Sequence, residues 1–291
     1  MISEREWVNF IESCKVKGSY NEKRLKEAIV EAIKKRIPSE KFGIFFSGGV
    51  DSSLISLIAK KYSKNFTCYT VGFQDEGTAE PLDLIYARSV AKELGLKLVE
   101  KTFNLAEAEK IIKKTVKLLP KPKEVDVDYV VKVGVGAVVV AVMSFAKEKI
   151  FFSGLGSEEI FAGYQRHEKV KDVNAECWNG LMSMYKRDLI RDFTLAEKLN
   201  FTIETPFLDK EVIIEAMKFP AEKKINKEHK KIILREIAQD LGLPKEFAWR
   251  KKLGAQYGSR FDKAIDKLAR KNGFKYKKDY LKNLLDTFKS A

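Results

Sequence analysis

The sequence predicts an α/β protein, a parallel sheet with helices on both faces followed by a helical C-terminal part. Two observations carry this. Short apolar runs alternate with amphipathic stretches along the first half of the chain, and a glycine-rich loop joins the first such run to the helix after it. With 291 residues, 45% of them hydrophobic, the chain can bury a substantial core. Residues 1–40 read as an N-terminal helical segment and 41–291 as one domain.

In the first segment Trp7, Phe10 and Ile11 mark one apolar face, Leu25, Ile29 and Ile33 recur at a spacing of four, and Pro38 closes the pattern. From Phe42 the pattern shortens to the apolar run Gly43 to Phe46. Ser47, Gly48 and Gly49 bound it, as expected of a buried parallel strand entering a glycine loop. The following SSLISLIAKKY is an amphipathic helix. A strand over 66–73, a helix from near Pro81 to Gly95 and a strand over 96–103 continue the alternation. The uncharged run Val133 to Ala146 is shorter than the roughly 18 apolar residues of a spanning helix, so it reads as a buried helix or strand. Ile150 to Ser153 is another buried strand ending at Gly154, and the chain beyond Gly163 looks mainly helical. Ligands of such sheets sit at the carboxyl ends of the strands, so Ser47, Phe73 and Gly154 are expected to converge on one crevice.

Composition narrows the function. The opening MISEREWVNF has charges where a signal peptide needs an apolar stretch, so a cytoplasmic protein with no membrane role is expected. Cys14, Cys68 and Cys177 are far apart and form no CxxC pair, which argues against zinc, a cluster or a redox couple. With only His167 and His229, a catalytic metal would be held by carboxylates and substrate phosphates, which points to Mg2+. The net charge of +14 would draw phosphate-bearing ligands, nucleic acid among them. The basic residues are nevertheless mixed with acids on helical stretches, and 33% charged residues also suit a heat-adapted protein.

The strongest local signal is Phe45 to Ser53, FFSGGVDSS, between a strand and a helix. Gly48 and Gly49 permit close backbone approach, and Ser47, Ser52 and Ser53 add donors. The following helix directs its positive end at an anion. This is a pyrophosphate cradle, and it lacks the GxxxxGK[ST] pattern of a Walker A loop. Asp51, inside the cradle, is placed to hold Mg2+ against phosphates.

SGGVDSS resembles the signature of the ATP pyrophosphatases, the PP-loop enzymes, and implies an adenine nucleotide alpha hydrolase-like fold with ATP as cofactor. Four further blocks, YTVGF at 69–73, SGLGSEEIFAGYQRH at 153–167, TPFLDK at 205–210 and FAWRKK at 247–252, resemble asparagine synthetases in order and spacing. By that resemblance Phe46 and Val71 line the adenine site, Ser153 and Gly154 contact the nucleotide, Asp51 binds Mg2+, and Lys252 lies near the phosphates. Lys231 and Arg235, in a KxxLR pattern that the family shares, read either as phosphate contacts or as a polar helix face.

The chain also departs from the family. Asparagine synthetases carry GEGxDE in the second block, and here Leu155 stands where they have a glutamate associated with amination. A leucine can neither accept a proton nor orient ammonia, which leaves the acyl acceptor open. Glu158 replaces an aspartate and keeps a carboxylate for the metal. Ile2 follows Met1 where glutamine-using synthetases have a catalytic cysteine, and forty residues cannot hold a glutaminase domain. Nitrogen would then come from free ammonia, another amine or a separate glutaminase subunit. The block QYGSR at 256–260 and the GYxRH pattern resemble the asparagine synthetase domain-containing proteins.

The reading is an AMP-forming carbon–nitrogen ligase that activates a small carboxylate as an acyl adenylate. Alternatives are a PP-loop enzyme modifying tRNA and a nucleotide-binding regulatory subunit. The chain could also act as a homo-oligomer.

Overall fold

The computed structural model describes residues 2–251 and 254–288. Five strands form one sheet: β1 (Phe42–Phe45), β2 (Phe66–Phe73), β3 (Leu98–Phe103), β4 (Ile150–Phe152) and β5 (Thr202–Glu204). Their order is β3-β2-β1-β4-β5, and every neighbouring pair is parallel. The chain builds outward from β1 to β3, then returns to place β4 on the other side of β1. The carboxyl ends of β1 and β4 therefore flank the point where strand order reverses, the usual ligand crevice of such a sheet.

Alternation along the strands divides the core. Phe42, Ile44, Phe66 and Cys68 join Trp7, Ile11, Leu25, Ile29, Leu54 and Ile58 in one buried cluster. Tyr69, Val71, Phe73 and Phe151 face a second cluster with Ile112, Val133, Val140, Leu268 and Leu281. Helices thus cover both faces, as the sequence predicts. The N-terminal segment forms two helices, Glu4–Ser13 and Glu22–Lys34. A Ser3/Glu6 capping box starts the first, and Trp7 anchors it by donating its indole N–H to the Leu181 carbonyl at 2.8 Å.

The run Val133 to Ala146 falls largely within the helix Val127–Met143, capped by Asp126 through the amide of Tyr129 at 2.8 Å. Its valines are poor helix formers, but both sides of the element are packed. A Cβ at Gly134 would lie 3.0 Å from Gln256 and one at Gly136 3.1 Å from Thr115. Burial overrides propensity here.

Strand boundaries shift by one or two residues from expectation: β1 spans Phe42–Phe45 rather than 43–46, and β4 ends at Phe152 rather than Ser153. Leu96 still belongs to the turn that ends the helix Leu82–Glu93, its amide bonded to the Ala91 carbonyl, so β3 begins only at Leu98. The stretch beyond Gly163 is mainly helical, as expected, with β5 adding three residues at the sheet edge. Among the described residues no helix is long and apolar enough to cross a membrane.

Candidate active site

The loop after β1 is held by its own hydroxyls. The Ser47 amide donates to Ser52 Oγ at 3.3 Å, Ser52 Oγ donates to the Gly49 carbonyl at 3.2 Å, and the Gly49 amide donates to Ser47 Oγ at 3.4 Å. Gly48 sits at φ +63°, and a Cβ there would meet the Tyr86 backbone at 2.7 Å, so only glycine fits this turn. The helix Val50–Tyr62 starts directly from the loop with Gly49 as its N-cap. Ser53 Oγ is fully buried and has no hydrogen-bond partner among the described residues.

Asp51 lies in the first turn of that helix and is 3% exposed. Its two carboxylate oxygens accept from Lys231 Nζ, each at 2.9 Å. The same ammonium donates to Ser157 Oγ at 3.0 Å and to Glu158 Oε1 at 2.7 Å. Three chain segments, around residues 51, 157 and 231, thus meet at one nitrogen. Two glycines make the approach possible. A Cβ on Gly154 would lie 2.8 Å from Asp51 Cβ, and one on Gly163 would overlap the Glu158 carboxylate and Lys231 Cε.

Glu158 and its neighbour Glu159 share the short helix Ser157–Ile160 but point to different partners. Glu159 is buried behind the site, where it accepts from the Tyr164 hydroxyl at 2.8 Å and from Arg187. The Arg166 and Arg187 guanidiniums lie 4.2 and 5.2 Å from the Tyr164 ring. Burial, and then the nearby Asp188, push the Glu159 carboxyl up to about 7, against the pull of Arg187. Arg187 and Asp188 come from a π-helical turn, Tyr185–Leu189.

Lys231 itself adopts a left-handed backbone, φ 58° and ψ 36°, immediately before the helix Ile232–Asp240. A lysine rarely takes this conformation, and surrounding bonds must hold it there. Arg235 supplies them. Its Nε donates to the Lys230 carbonyl at 2.6 Å, and Nη1 donates to the carbonyls of Ala248 and Arg250 at 2.6 and 3.0 Å. Of the two readings of KxxLR, Lys231 is a buried site residue and Arg235 is a buried clasp. Neither forms an exposed polar face.

Of the three residues expected to converge, Ser47 and Gly154 lie on the loops that flank Asp51. Phe73 does not join them. It lies beyond the last β1–β2 pair, Phe45↔Tyr69, fully buried, with its amide bonded to the Ser259 carbonyl at 2.8 Å. Phe46 and Val71 are buried in different clusters on opposite sides of the sheet. Ser153 continues the β4 register, its amide donating to the Glu204 carbonyl at 2.9 Å, and its hydroxyl accepts from the Leu155 amide at 3.3 Å. Leu155 packs its side chain on the core. Lys252 lies outside the described residues.

Four site residues were not singled out from the sequence: Ser157, Gly163, Tyr86 and Arg250. Arg250 Nη2 donates to the Ser47 carbonyl at 3.3 Å, and burial pushes its guanidinium down from the usual value. Ser157, Gly163 and Arg250 stand inside the blocks already noted, so position in those blocks was the available signal.

The donor set fits a divalent cation. Asp51 and Glu158 converge closely enough to share one ammonium, and Mg2+ is typically held by one or two carboxylates with substrate phosphates completing the shell. Among the described residues no group of three or more His, Cys, Asp or Glu side chains forms an independent metal site. His167 accepts from the Tyr164 amide and His229 packs on Trp249.

The family model described as asparagine synthase matches residues 24–198 and 166–283, most of the chain. The chain belongs to the asparagine synthase family. Among its relatives, a protein of Methanocaldococcus jannaschii assigned as glutamine-hydrolysing asparagine synthetase 1 is 33% identical, covering 93% of this chain and 56% of the relative. Human asparagine synthetase is 28% identical over 76% of this chain and 40% of its own. Escherichia coli asparagine synthetase B is 26% identical over 85% and 46%. The chain therefore spans about half the length of these relatives. A solved NH3-dependent NAD synthetase from Campylobacter jejuni superposes at a TM-score of 0.43 with 13% identity, covering 92% of this chain and 94% of that one.

Family membership is what these comparisons establish for the chain. Within that family it keeps a carboxylate at Glu158 and has an apolar side chain at Leu155.

Proposed function

We propose that this chain activates a small carboxylate with ATP, forming an acyl adenylate and pyrophosphate, and then transfers the acyl group to ammonia or another amine. One observation carries the reading: the Asp51 and Glu158 carboxylates and the Lys231 ammonium meet beside the SGGVDSS loop, at the end of the sheet where a nucleotide would lie.

In this reading the pyrophosphate lies in the loop from Ser47 to Ser53, with the adenine across the ends of β1 and β2, over the buried side chains of Phe46 on one face and Val71 on the other, and the nucleotide contacting Ser153 and Gly154. Asp51 and Glu158 would hold Mg2+, which when bound supplies positive charge against the phosphates. A substrate carboxylate oxygen attacks the α phosphorus, the bond from the α phosphorus to the bridging oxygen breaks, and pyrophosphate leaves. Lys231 and Lys252 stabilise the charge that builds on it. The amine then attacks the acyl carbon, AMP departs, and an amide remains. A separate glutaminase subunit as nitrogen source belongs to the same reading, the relatives being named as glutamine-hydrolysing. Cytoplasmic location belongs to the same reading.

Pyrophosphate release from Mg-ATP is the test, with aspartate, a panel of small carboxylic acids with ammonia, and bulk tRNA, each against Asp51→Ala. Stimulation by one acid, lost in the variant, supports the ligase. Stimulation by tRNA alone replaces it with RNA modification, and nucleotide binding without release replaces it with a regulatory role.

A further inference from the structure

The Lys231 ammonium lies where two carboxylates and a hydroxyl converge, with oxygens of Asp51, Ser157 and Glu158 at 2.7 to 3.0 Å. The residue is 4% exposed, so the charge is compensated by these groups rather than by water. We propose that Lys231 is an internal counter-cation: in the nucleotide-free protein it fills the divalent-cation position between Asp51 and Glu158, so a divalent cation binds there only together with a polyphosphate. This rests on reading the site as an ATP site.

The argument is one of competing charges. A divalent cation entering between the two carboxylates would sit within a few ångströms of the ammonium, where like-charge repulsion is strong and little screened. Pushing the ammonium aside without a new partner would leave a charge buried and unpaired, which is costly. A nucleotide polyphosphate removes both obstacles, because its oxygens complete the cation's shell and offer the ammonium new acceptors. Cation and nucleotide then bind with positive coupling, each raising the other's affinity by the same factor.

The backbone fixes which part moves. Lys231 is pinned in its left-handed conformation, its carbonyl accepting from the Arg235 amide at 3.0 Å and the preceding carbonyl from Arg235 Nε at 2.6 Å. The transfer is therefore a swing of the side chain. Lys231 would spend its charge on the carboxylates in the resting protein and on the phosphates during turnover, so no vacant anionic pocket captures free metal ions.

The test is Mn2+ binding to the whole chain, read from the electron paramagnetic resonance of free Mn2+. Without nucleotide, the wild type is expected to bind no Mn2+ specifically, whereas Lys231→Met binds one per chain at least about tenfold more tightly. That binding is lost in Lys231→Met with Asp51→Asn. Circular dichroism establishes folding, and if Lys231→Met does not fold, Lys231→Gln is read instead. As a second readout, Mn2+ alone raises the Tm of the variant and leaves that of the wild type unchanged. Equal Mn2+ affinity of wild type and variant without nucleotide overturns the proposal, as does a folded variant that binds none. A separate arm adds α,β-methylene-ATP. If neither protein binds it, the ATP-site reading fails, while the nucleotide-free comparison still decides the role of Lys231.

Discussion

The Arg250 guanidinium stacks on the Tyr86 ring with its central carbon 3.7 Å from the ring centroid, and from there Nη2 reaches the Ser47 carbonyl at 3.3 Å. The first glycine-loop residue is thus tied through Arg250 to the helix Leu82–Glu93, and Tyr86 is also the residue whose backbone closes on Gly48. Both links depend on a planar guanidinium. A lysine offers a point charge and cannot stack in this way.

Arg250→Lys should therefore loosen the loop as much as Arg250→Met does. The expected outcome for both is a rise in the Kd for ATP of roughly tenfold, corresponding to the one to two kcal/mol of a desolvated cation–π contact and one weak hydrogen bond. Isothermal titration with α,β-methylene-ATP measures it. Wild-type affinity in Arg250→Lys would show that charge alone matters at this position.

Gly154→Ala tests how closely the second strand end must approach the loop. The added methyl would lie 2.8 Å from Asp51 Cβ, below any real contact of this kind, and Asp51 is on a helix that cannot yield without disturbing the cradle. Either Asp51 shifts or the loop after β4 withdraws, carrying Ser157 and Glu158 with it. Pyrophosphate release should fall by about a hundredfold, the scale of a misplacement near 1 Å, with a loss of stability of about 1–3 kcal/mol. Steady-state assays with a urea melt separate the two effects, and unchanged kinetics would rule out close packing as a requirement.

What the sequence made legible follows from which features are local. The β1 run, the glycine loop and the helix after it are contiguous, so FGIFFSGGVDSS carries both the start of the fold and the loop proposed to hold phosphate. The meeting of Asp51, Glu158 and Lys231 is not local. Lys231 stands beside Lys230 in a lysine-rich stretch, and only its left-handed backbone and burial distinguish it from a solvated neighbour. Arg235 reads as a helix-face charge until its carbonyl partners are known. Arg250, in WRKK, reads as part of a basic run. β5 is too short for alternation to declare itself. Phe73 was misjudged because a strand's length relative to its neighbour, here β2 running on past β1, cannot be read from either strand alone.

Lys224 offers a test of stability independent of the site. It is fully buried, and the single hydrogen bond of its ammonium among the described residues is to Met217 Sδ at 3.5 Å. Burial pushes its pKa down to about 8, slightly opposed by Cys177. The unfolded chain holds this proton up to about pH 10.4. Below pH 8 the folded protein therefore carries the full cost of a buried ammonium. Between about 8 and 10.4 the unfolded state binds more protons than the folded state, so this residue makes stability rise with pH; above that range the cost is gone. Lys224→Met should be more stable than wild type at pH 7, by on the order of 3 kcal/mol at most. The gain should shrink steadily from pH 8 and vanish near pH 10.5. Urea unfolding of both proteins across that range measures the difference, which cancels groups common to the two. A constant difference, or a destabilised variant at pH 7, would mean that the ammonium is satisfied in place.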